Sequence, residues 1–148
     1  VVDLFVQKVQ EYLALASSSS SSSSNRQILW LDAGAGSGAL LQHLPRHYRL
    51  GIDIAPSLHP EVVQANFLKV KRIKDVAPSH FPKNVWECND SIVCVISNPP
   101  FADGSRGDYS AIIQFLNHSI EQLQAQYVGL IVPAKFVRPR IWASLGIH

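Results

Sequence analysis

The sequence predicts an α/β fold in which helices cover both faces of a doubly wound, mostly parallel β-sheet. Two observations carry this prediction. Short runs of apolar and β-branched residues alternate along the chain with segments that have helical periodicity. These runs are apolar at consecutive positions, as expected of strands buried on both faces of a parallel sheet.

The first predicted element is an amphipathic helix over residues 3–16, with Asp3 placed to cap it. Eight serines follow, Ser17–Ser24, and they predict a flexible loop because serine buries no apolar surface to offset the loss of backbone freedom. Five strands and three further helices complete the pattern. The strands are expected at 27–31, 48–54, 61–68, 91–96 and 127–132, and the helices at 39–44, 70–76 and 109–126.

Composition excludes several classes of protein. A chain of 148 residues with 47% hydrophobic and 16% charged residues is expected to fold around a core. Its apolar runs are too short to cross a bilayer. Neither Cys88 and Cys94 nor the six histidines have metal-ligand spacing, so we predict no metal and an intracellular protein, cytoplasmic or nuclear. Since methionine is absent even at position 1, we expect a fragment.

A glycine-rich turn follows the first predicted strand. Gly34, Gly36 and Gly38 have the spacing G-x-G-x-G, and Asp32 precedes them. Glycine permits positive φ and a close approach of the backbone to a ligand, and this turn of a doubly wound sheet lies where ligands bind. The spacing differs from the G-x-G-x-x-G of dinucleotide binders, and no Gly-Lys-Ser/Thr follows, which excludes a P-loop. A strand-to-helix turn without a ligand is the alternative.

A second acidic residue ends the second predicted strand. The carboxylate of Asp53 can accept hydrogen bonds from both hydroxyls of a ribose. The neighbouring Ile54 then offers an apolar wall for an adenine ring. A solvent-facing acid at the end of a strand is the alternative interpretation of Asp53.

The segment Asn98-Pro99-Pro100-Phe101 follows the clearest predicted strand. An amino group conjugated to a ring or a carbonyl is a poor nucleophile because its lone pair is delocalised. The side-chain oxygen of Asn98 and the backbone carbonyl of Pro99 can accept its two hydrogens, while the two prolines stiffen the loop. Phe101 offers a flat face for a planar target. These four residues are therefore predicted to be catalytic, and a plain proline turn is the alternative.

Both motifs resemble those of a known enzyme family. The acid and glycines resemble motif I of the S-adenosylmethionine-dependent methyltransferases, and Asn98–Phe101 resembles motif IV of their amino-methylating members. The resemblance covers about residues 27–136 and implies a Rossmann-like core with S-adenosylmethionine as cofactor. The implied cofactor-binding residues are Asp32, Gly34, Gly36, Gly38, Asp53, Ile54, Asn66 and Phe67. Asn66 departs from the family, which often has an acid there for the adenine amino group, although an amide oxygen can accept the same hydrogen bond.

The resemblance also implies a substrate class. Family members methylate adenine N6 in DNA or RNA, guanine N2 in ribosomal RNA, or glutamine side chains of release factors. Phe101 favours the RNA base enzymes, so we predict methylation of adenine N6 in nucleic acid, with RNA favoured over DNA. Phe136, after the fifth strand, is a candidate second aromatic for binding the target base. Protein glutamine methylation, and a degenerate domain that binds a partner without catalysis, are the alternatives.

Two basic groups, at 69–74 and 135–140, are candidates for contact with a phosphate backbone. A solvated surface is the alternative for the first. The family fold has seven strands, whereas five are predicted here, and no segment for target recognition is visible. We therefore expect a first core helix at 1–16, the serine loop at 17–24, and a catalytic domain at 25–148 that is incomplete at its C-terminus. A protein partner could supply target recognition.

Overall fold

A computed structural model describes residues 1–18, 26–79, 81, 91–100 and 110–138. Two α-helices and five strands organise these residues. The helices are α1 (Val2–Ser18) and α2 (Ser110–Asn117), and the strands are β1 (Ile28–Ala33), β2 (Arg49–Asp53), β3 (Val62–Gln64), β4 (Ile92–Ser97) and β5 (Tyr127–Leu130).

The five strands form one parallel sheet in the order β3-β2-β1-β4-β5. The chain enters at the centre, runs outward to β3, and then returns to continue through β4 and β5 on the other side of β1. This reversal marks the place where doubly wound sheets bind ligands, at the carboxyl ends of the strands. The predicted fold class is confirmed, and each predicted strand overlaps an observed one.

The sheet is covered on both faces because successive side chains of a strand point in opposite directions. On one face, Trp30 of β1 and Cys94 of β4 pack with α1. On the other, Leu31 of β1 and Val95 of β4 pack in a cluster that includes Phe115 of α2. The apolar positions of the central strands are therefore divided between two helices, which accounts for their lack of polar alternation.

Cys94 lies in the middle of the sheet and is fully buried. Burial raises the pKa of its thiol to about 12. The side chain therefore stays protonated at neutral pH and packs as a small apolar group.

The helix predicted at 39–44 is wrong. The chain there makes turns and one 3₁₀ turn at Leu41–His43, after which Leu44 is extended, with φ −88° and ψ 148°. Leu44 precedes Pro45, and the ring of a proline disfavours the helical conformation of the residue before it.

The helix predicted at 70–76 is also wrong. Val70 is extended, and the regular structure is limited to a 3₁₀ turn at Ile73–Asp75. The backbone carbonyls of Val70 and Lys71 accept hydrogen bonds from the side chains of His118 (3.0 Å) and Gln122 (3.1 Å). Packing against the π-helical turn after α2 therefore replaces the carbonyl hydrogen bonds that a helix would make.

The two outer helices also differ in detail from the prediction. The segment predicted as a helix at 109–126 is α-helical at 110–117, and His118–Gln122 form a π-helical turn. There the hydroxyl of the buried Ser119 donates a hydrogen bond to the carbonyl of Phe115 (2.7 Å). Helix α1 continues through Ser18, so the first two serines of the predicted loop are helical. Serines 19–24 lie outside the described residues.

Arg49 begins β2 at the amino end of the sheet, and its side chain is 11% exposed. Its guanidinium donates to the carboxylate of Glu61 at 2.7 and 2.6 Å. It also donates to the backbone carbonyls of Leu41 (2.8 Å) and Leu44 (3.1 Å). This partly buried positive charge is thus matched by one carboxylate and two carbonyls.

Candidate cofactor and catalytic site

The sequence-predicted site residues of three strands meet at one edge of the sheet. Ala33 of β1 is in register with Ile52 of β2 and with Ser97 of β4. At this level β1 and β4 end, with Gly34 and Asn98 as the next residues, and β2 continues for one further residue, Asp53. Motif I and motif IV are adjacent because β1 and β4 are neighbours in the sheet.

The glycine-rich turn has the backbone conformation that its sequence predicts. Gly34, Gly36 and Gly38 have φ values of 77°, 53° and 82°, in the left-handed region that disfavours other residues. A Cβ on Gly34 would lie 3.8 Å from the backbone oxygen of Asn98. A Cβ on Gly36 would have no described atom within 4 Å. The turn is thus closely packed against the Asn98 loop at Gly34 and open at Gly36.

The loop after β2 holds this turn at two points. One carboxylate oxygen of Asp53 accepts a hydrogen bond from the backbone N–H of Gly36 (2.7 Å), and the other accepts from Ala55 (2.8 Å). The ring of His59 packs over Gly38, where an added Cβ would lie 2.8 Å from it. Asp53 was predicted from the sequence as a ribose ligand, whereas His59 was missed because its contact depends on how two loops pack.

Asp32 is the most unusual side chain of the site. It is 0% exposed, and neither carboxylate oxygen has a hydrogen-bond partner among the described residues. Burial, and to a smaller extent the charge of Asp53, raises the pKa of this carboxyl to about 7. A buried carboxylate without a partner is costly, so the position favours a ligand that brings a positive charge or a donor.

Ile54 presents an apolar side chain to solvent at the same edge. It is 70% exposed, next to the carboxylate of Asp53. An apolar surface of this kind beside a carboxylate suits a group with a flat ring joined to a sugar.

Asn66 and Phe67 follow β3, and both side chains have structural roles. The side-chain oxygen of Asn66 accepts a hydrogen bond from the N–H of Leu68 (3.0 Å) and caps a 3₁₀ turn. The ring of Phe67 is buried between Phe115 and His118, at centroid distances of 5.0 and 4.9 Å. Both residues lie at the carboxyl edge of the sheet, but their side chains are occupied within the fold.

The motif IV segment is described from Asn98 to Pro100. Asn98 and Pro100 are exposed, whereas the ring of Pro99 is fully buried. The buried ring anchors the loop, and the fixed φ of both prolines limits its movement. Phe101 lies outside the described residues.

Ser97, the last residue of β4, was not singled out from the sequence. It is 0% exposed, and its hydroxyl donates a hydrogen bond to the backbone carbonyl of Ala33, directly before Gly34. The two prolines after Asn98 have no N–H to donate, so the hydroxyl supplies a donor where the main chain lacks one. Ser97 thereby ties the end of β4 to the end of β1.

Phe136, predicted to contact a target base, is 1% exposed in a 3₁₀ turn at Ala134–Val137. Its ring faces the interior of the domain in this structure and presents no surface to solvent. Among the described residues, there is no group of three His, Cys, Asp or Glu side chains that could hold a metal ion. None of the described helices is long and apolar enough to span a membrane.

Comparison with known proteins identifies a methyltransferase as a relative. Ribosomal RNA small subunit methyltransferase C of Psychromonas ingrahamii is 28% identical over 109 residues, which are 72% of this chain and 31% of that protein. The chain therefore spans about a third of the length of this relative. No protein-family model matches the chain, and no solved structure matches it. The similarity supports the resemblance of this chain to the methyltransferases.

Proposed function

We propose that this chain is an S-adenosylmethionine-dependent methyltransferase that acts on the exocyclic amino nitrogen of an RNA base, with adenine N6 as the favoured target. The observation that carries the proposal is the placement of Asn98-Pro99-Pro100 beside the glycine turn and the buried Asp32, on neighbouring strands. The similarity to a ribosomal RNA methyltransferase favours RNA over DNA or protein as the substrate.

The residues at this edge fit the proposed cofactor. Asp32 has a buried carboxylate without a partner among the described residues, which suits the ammonium group of the methionine part. Gly36 leaves room for a ligand close to the backbone, since a Cβ there would have no described atom within 4 Å. Asp53 keeps lone pairs for ribose hydroxyls beyond the two it uses within the loop, and Ile54 can cover one side of the adenine. Asn66 and Phe67 would contribute through the backbone and through the shape of the pocket.

When bound, S-adenosylmethionine supplies a methyl group activated as a sulfonium, so no covalent intermediate with the protein is required. The protein's contribution is alignment. The side-chain oxygen of Asn98 and the carbonyl of Pro99 accept the two hydrogens of the target amino group, which favours a tetrahedral nitrogen and aims its lone pair. Asn98 is too weak a base to take the proton, which leaves to water after transfer. Phe101 is proposed to stack on the target base.

The first experiment is calorimetric titration of the protein with S-adenosylmethionine, with NADH as control. We expect saturable binding of S-adenosylmethionine and none of NADH. Methyl transfer is then measured on single-stranded RNA, on DNA of the same sequence, and on a glutamine-containing peptide. Digestion of the RNA to nucleosides identifies the methylated base and distinguishes adenine N6 from guanine N2.

Replacement of the proposed catalytic amide provides the decisive variant. Asn98→Ala should reduce methyl transfer by roughly 10²-fold or more, because a preorganised acceptor is lost. The affinity for S-adenosylmethionine should change by less than about twofold, since Asn98 is proposed to contact the acceptor substrate. Equal activity of the variant and the native protein would remove the assigned role, and transfer to the peptide alone would replace RNA by protein as the substrate.

A further inference from the structure

The positive charge of the chain is concentrated in one short segment. The protein has 13 Lys and Arg residues against 11 Asp and Glu, a net charge of +2. Residues 69–75 contain four of the basic residues and one of the acidic ones, which leaves nine basic and ten acidic residues elsewhere. We call residues 69–75 the basic segment. Its excess of positive over negative residues is larger than the net charge of the whole chain.

Three of its four cations are available to a partner. Lys69, Lys71 and Lys74 are exposed and make no ion pair with any residue that the structure describes. Arg72 differs, because its guanidinium forms a two-point contact with Asp75 at 3.0 and 2.9 Å. That contact raises the pKa of Arg72. The unpaired lysines thus form a cluster of like charge at the surface.

The basic segment is held in place rather than left as a flexible loop. Val70 and Ile73 are buried in the core, and the carbonyls of Val70 and Lys71 are bonded to the side chains of His118 and Gln122. Lysines carried on such a backbone keep a fixed spacing, which reduces the entropy lost when they bind an extended ligand.

A surface groove of about 480 Å³ lies along α2 and the π-helical turn, next to the basic segment. Leu68, which follows Asn66 and Phe67 after β3, forms part of the groove wall. Amide and imidazole groups are prominent in the lining, from Gln114, Asn117, His118 and Gln122, with Glu121 as an opposing carboxylate. The segment from Gln114 to Gln122 covers about 12 Å at the rise of a helix.

We propose that this groove and the three exposed lysines bind the RNA strand that flanks the target base. This inference rests on the proposed function, since it assigns a binding surface to the same substrate. Lysine ammonium groups attract the phosphates along one side of the strand. Amide groups can donate to and accept from base edges and 2′-hydroxyls, which distinguish RNA from DNA. A Cβ on Gly34 would lie 3.6 Å from the ring of Phe115, which is next to Gln114 on α2, and 3.8 Å from the carbonyl of Asn98. A strand in the groove would therefore be continuous with a base presented to Asn98.

The test compares two triple variants with equal loss of charge. The groove variant carries Lys69→Gln, Lys71→Gln and Lys74→Gln, and the control carries Lys8→Gln, Arg26→Gln and Arg46→Gln at exposed positions outside the groove. Affinity for a labelled 20-nucleotide single-stranded RNA is measured by fluorescence anisotropy over a series of KCl concentrations. Affinity for S-adenosylmethionine is measured by calorimetry on the same samples.

We expect the groove variant to bind RNA at least tenfold more weakly at low salt and its log–log salt slope to fall by about 2, as for three lost phosphate contacts on a single strand. The control should change the affinity by less than about threefold, because charges outside the groove act only through the screened overall field. A second variant, Gln114→Ala with Asn117→Ala, should weaken RNA binding without changing the slope, because amides release no counterions.

Failure of this inference is distinguishable from failure of the proposed function. If the native protein methylates RNA and both triple variants lose the same affinity and slope, the groove is not the binding surface and the proposed function stands. If RNA binds in the groove but no methyl group is transferred to it, the groove stands and the proposed function falls. Equal binding of RNA and DNA by the native protein and by the amide variant would overturn the role of the amides.

Discussion

A partly buried charge at one end of the sheet and a fully buried charge near the other end differ in their hydrogen-bond partners. Arg49, at the amino end of β2, has its guanidinium matched by Glu61 and by two backbone carbonyls. Asp32, near the carboxyl end of the neighbouring β1, is 0% exposed and has no partner among the described residues. The first charge is satisfied within the fold. The second has no partner within the described part of the fold, which costs stability and makes it the proposed contact of a cationic ligand.

This difference separates a charge that the fold itself neutralises from one that the fold leaves without a partner among the described residues. A domain that needed a buried charge for stability alone would surround it with partners, as it does for Arg49. Burial raises the pKa of this carboxyl to about 7, and a buried carboxylate of this kind gains most when a cation arrives. The comparison predicts that substitutions at the two positions have opposite effects on stability.

The largest effect on stability is expected at Arg49. Arg49→Met keeps much of the side-chain volume but leaves Glu61 and the carbonyls of Leu41 and Leu44 without their donor. The free energy of unfolding should fall by about 3 kcal/mol, as measured by urea denaturation. The double variant with Glu61→Gln should recover part of this loss because no carboxylate is then stranded. A loss below about 0.5 kcal/mol in the single variant would place Arg49 among ordinary surface residues.

At Asp32 we expect the opposite effect, in which a substitution raises the free energy of unfolding at high pH. The pKa of its carboxyl is about 7 in the fold, against an ordinary value of 3.8. Between these values the folded chain holds a proton that the unfolded chain releases. The contribution of Asp32 to the free energy of unfolding is therefore fully present below pH 3.8 and is lost as the pH rises through about 7, with a slope of up to about 1.4 kcal/mol per pH unit.

Asp32→Asn should remove that slope. At pH 8 the variant without ligand should be more stable than the native protein by on the order of 2 kcal/mol, since an amide carries no charge to bury. Its affinity for S-adenosylmethionine should fall at least tenfold if the carboxylate faces the ammonium group. Thermal unfolding at pH 5 and pH 8 tests the first expectation and calorimetry the second. An unchanged pH slope in the variant would contradict the assignment.

The smallest effect is expected at Ser97, where two fully buried serines allow a matched comparison. The hydroxyl of Ser97 donates to Ala33 at the site, and that of Ser119 donates to Phe115 away from it. Replacing either with alanine should cost about 1 kcal/mol of stability. Only Ser97→Ala should also lower kcat, by roughly tenfold, because it loosens β4 from the glycine turn. Equal kcat values for the two variants would show that Ser97 has no positioning role.

Local patterns were sufficient to predict several of the residues that meet at the carboxyl edge of the sheet. The glycines, Asp32 and Asn98 are recognisable because a turn and a proline-stiffened loop impose local requirements that few residue types satisfy. His59 and Ser97 were not recognisable, since each acts on a segment far away in the sequence. The signal that could have found Ser97 is the absence of N–H donors in Pro99 and Pro100.

The difference between local and long-range interactions also bears on the two helices that were predicted wrongly. Residues 70–76 have helical spacing of Val70, Ile73 and Val76, but side chains from the π-helical turn bind the carbonyls that a helix would use. Such competition between distant groups is invisible in a local pattern. At 39–44 the sequence itself contains evidence against a helix, because Pro45 disfavours the helical conformation of Leu44. Phe67 and Phe136 were predicted to contact a ligand or a target base, but both side chains are buried within the fold.

The burial of Cys94 has a practical consequence for studying how the sheet opens. A thiol reagent can reach this sulfur, between β1 and β5, only after neighbouring strands separate, and the raised pKa keeps its reaction slow until then. With Cys88 replaced by serine, the labelling rate of Cys94 would measure how readily the neighbouring strands separate. Slower labelling in the presence of a ligand would then report, without any measurement of catalysis, how strongly that ligand holds the two central strands together.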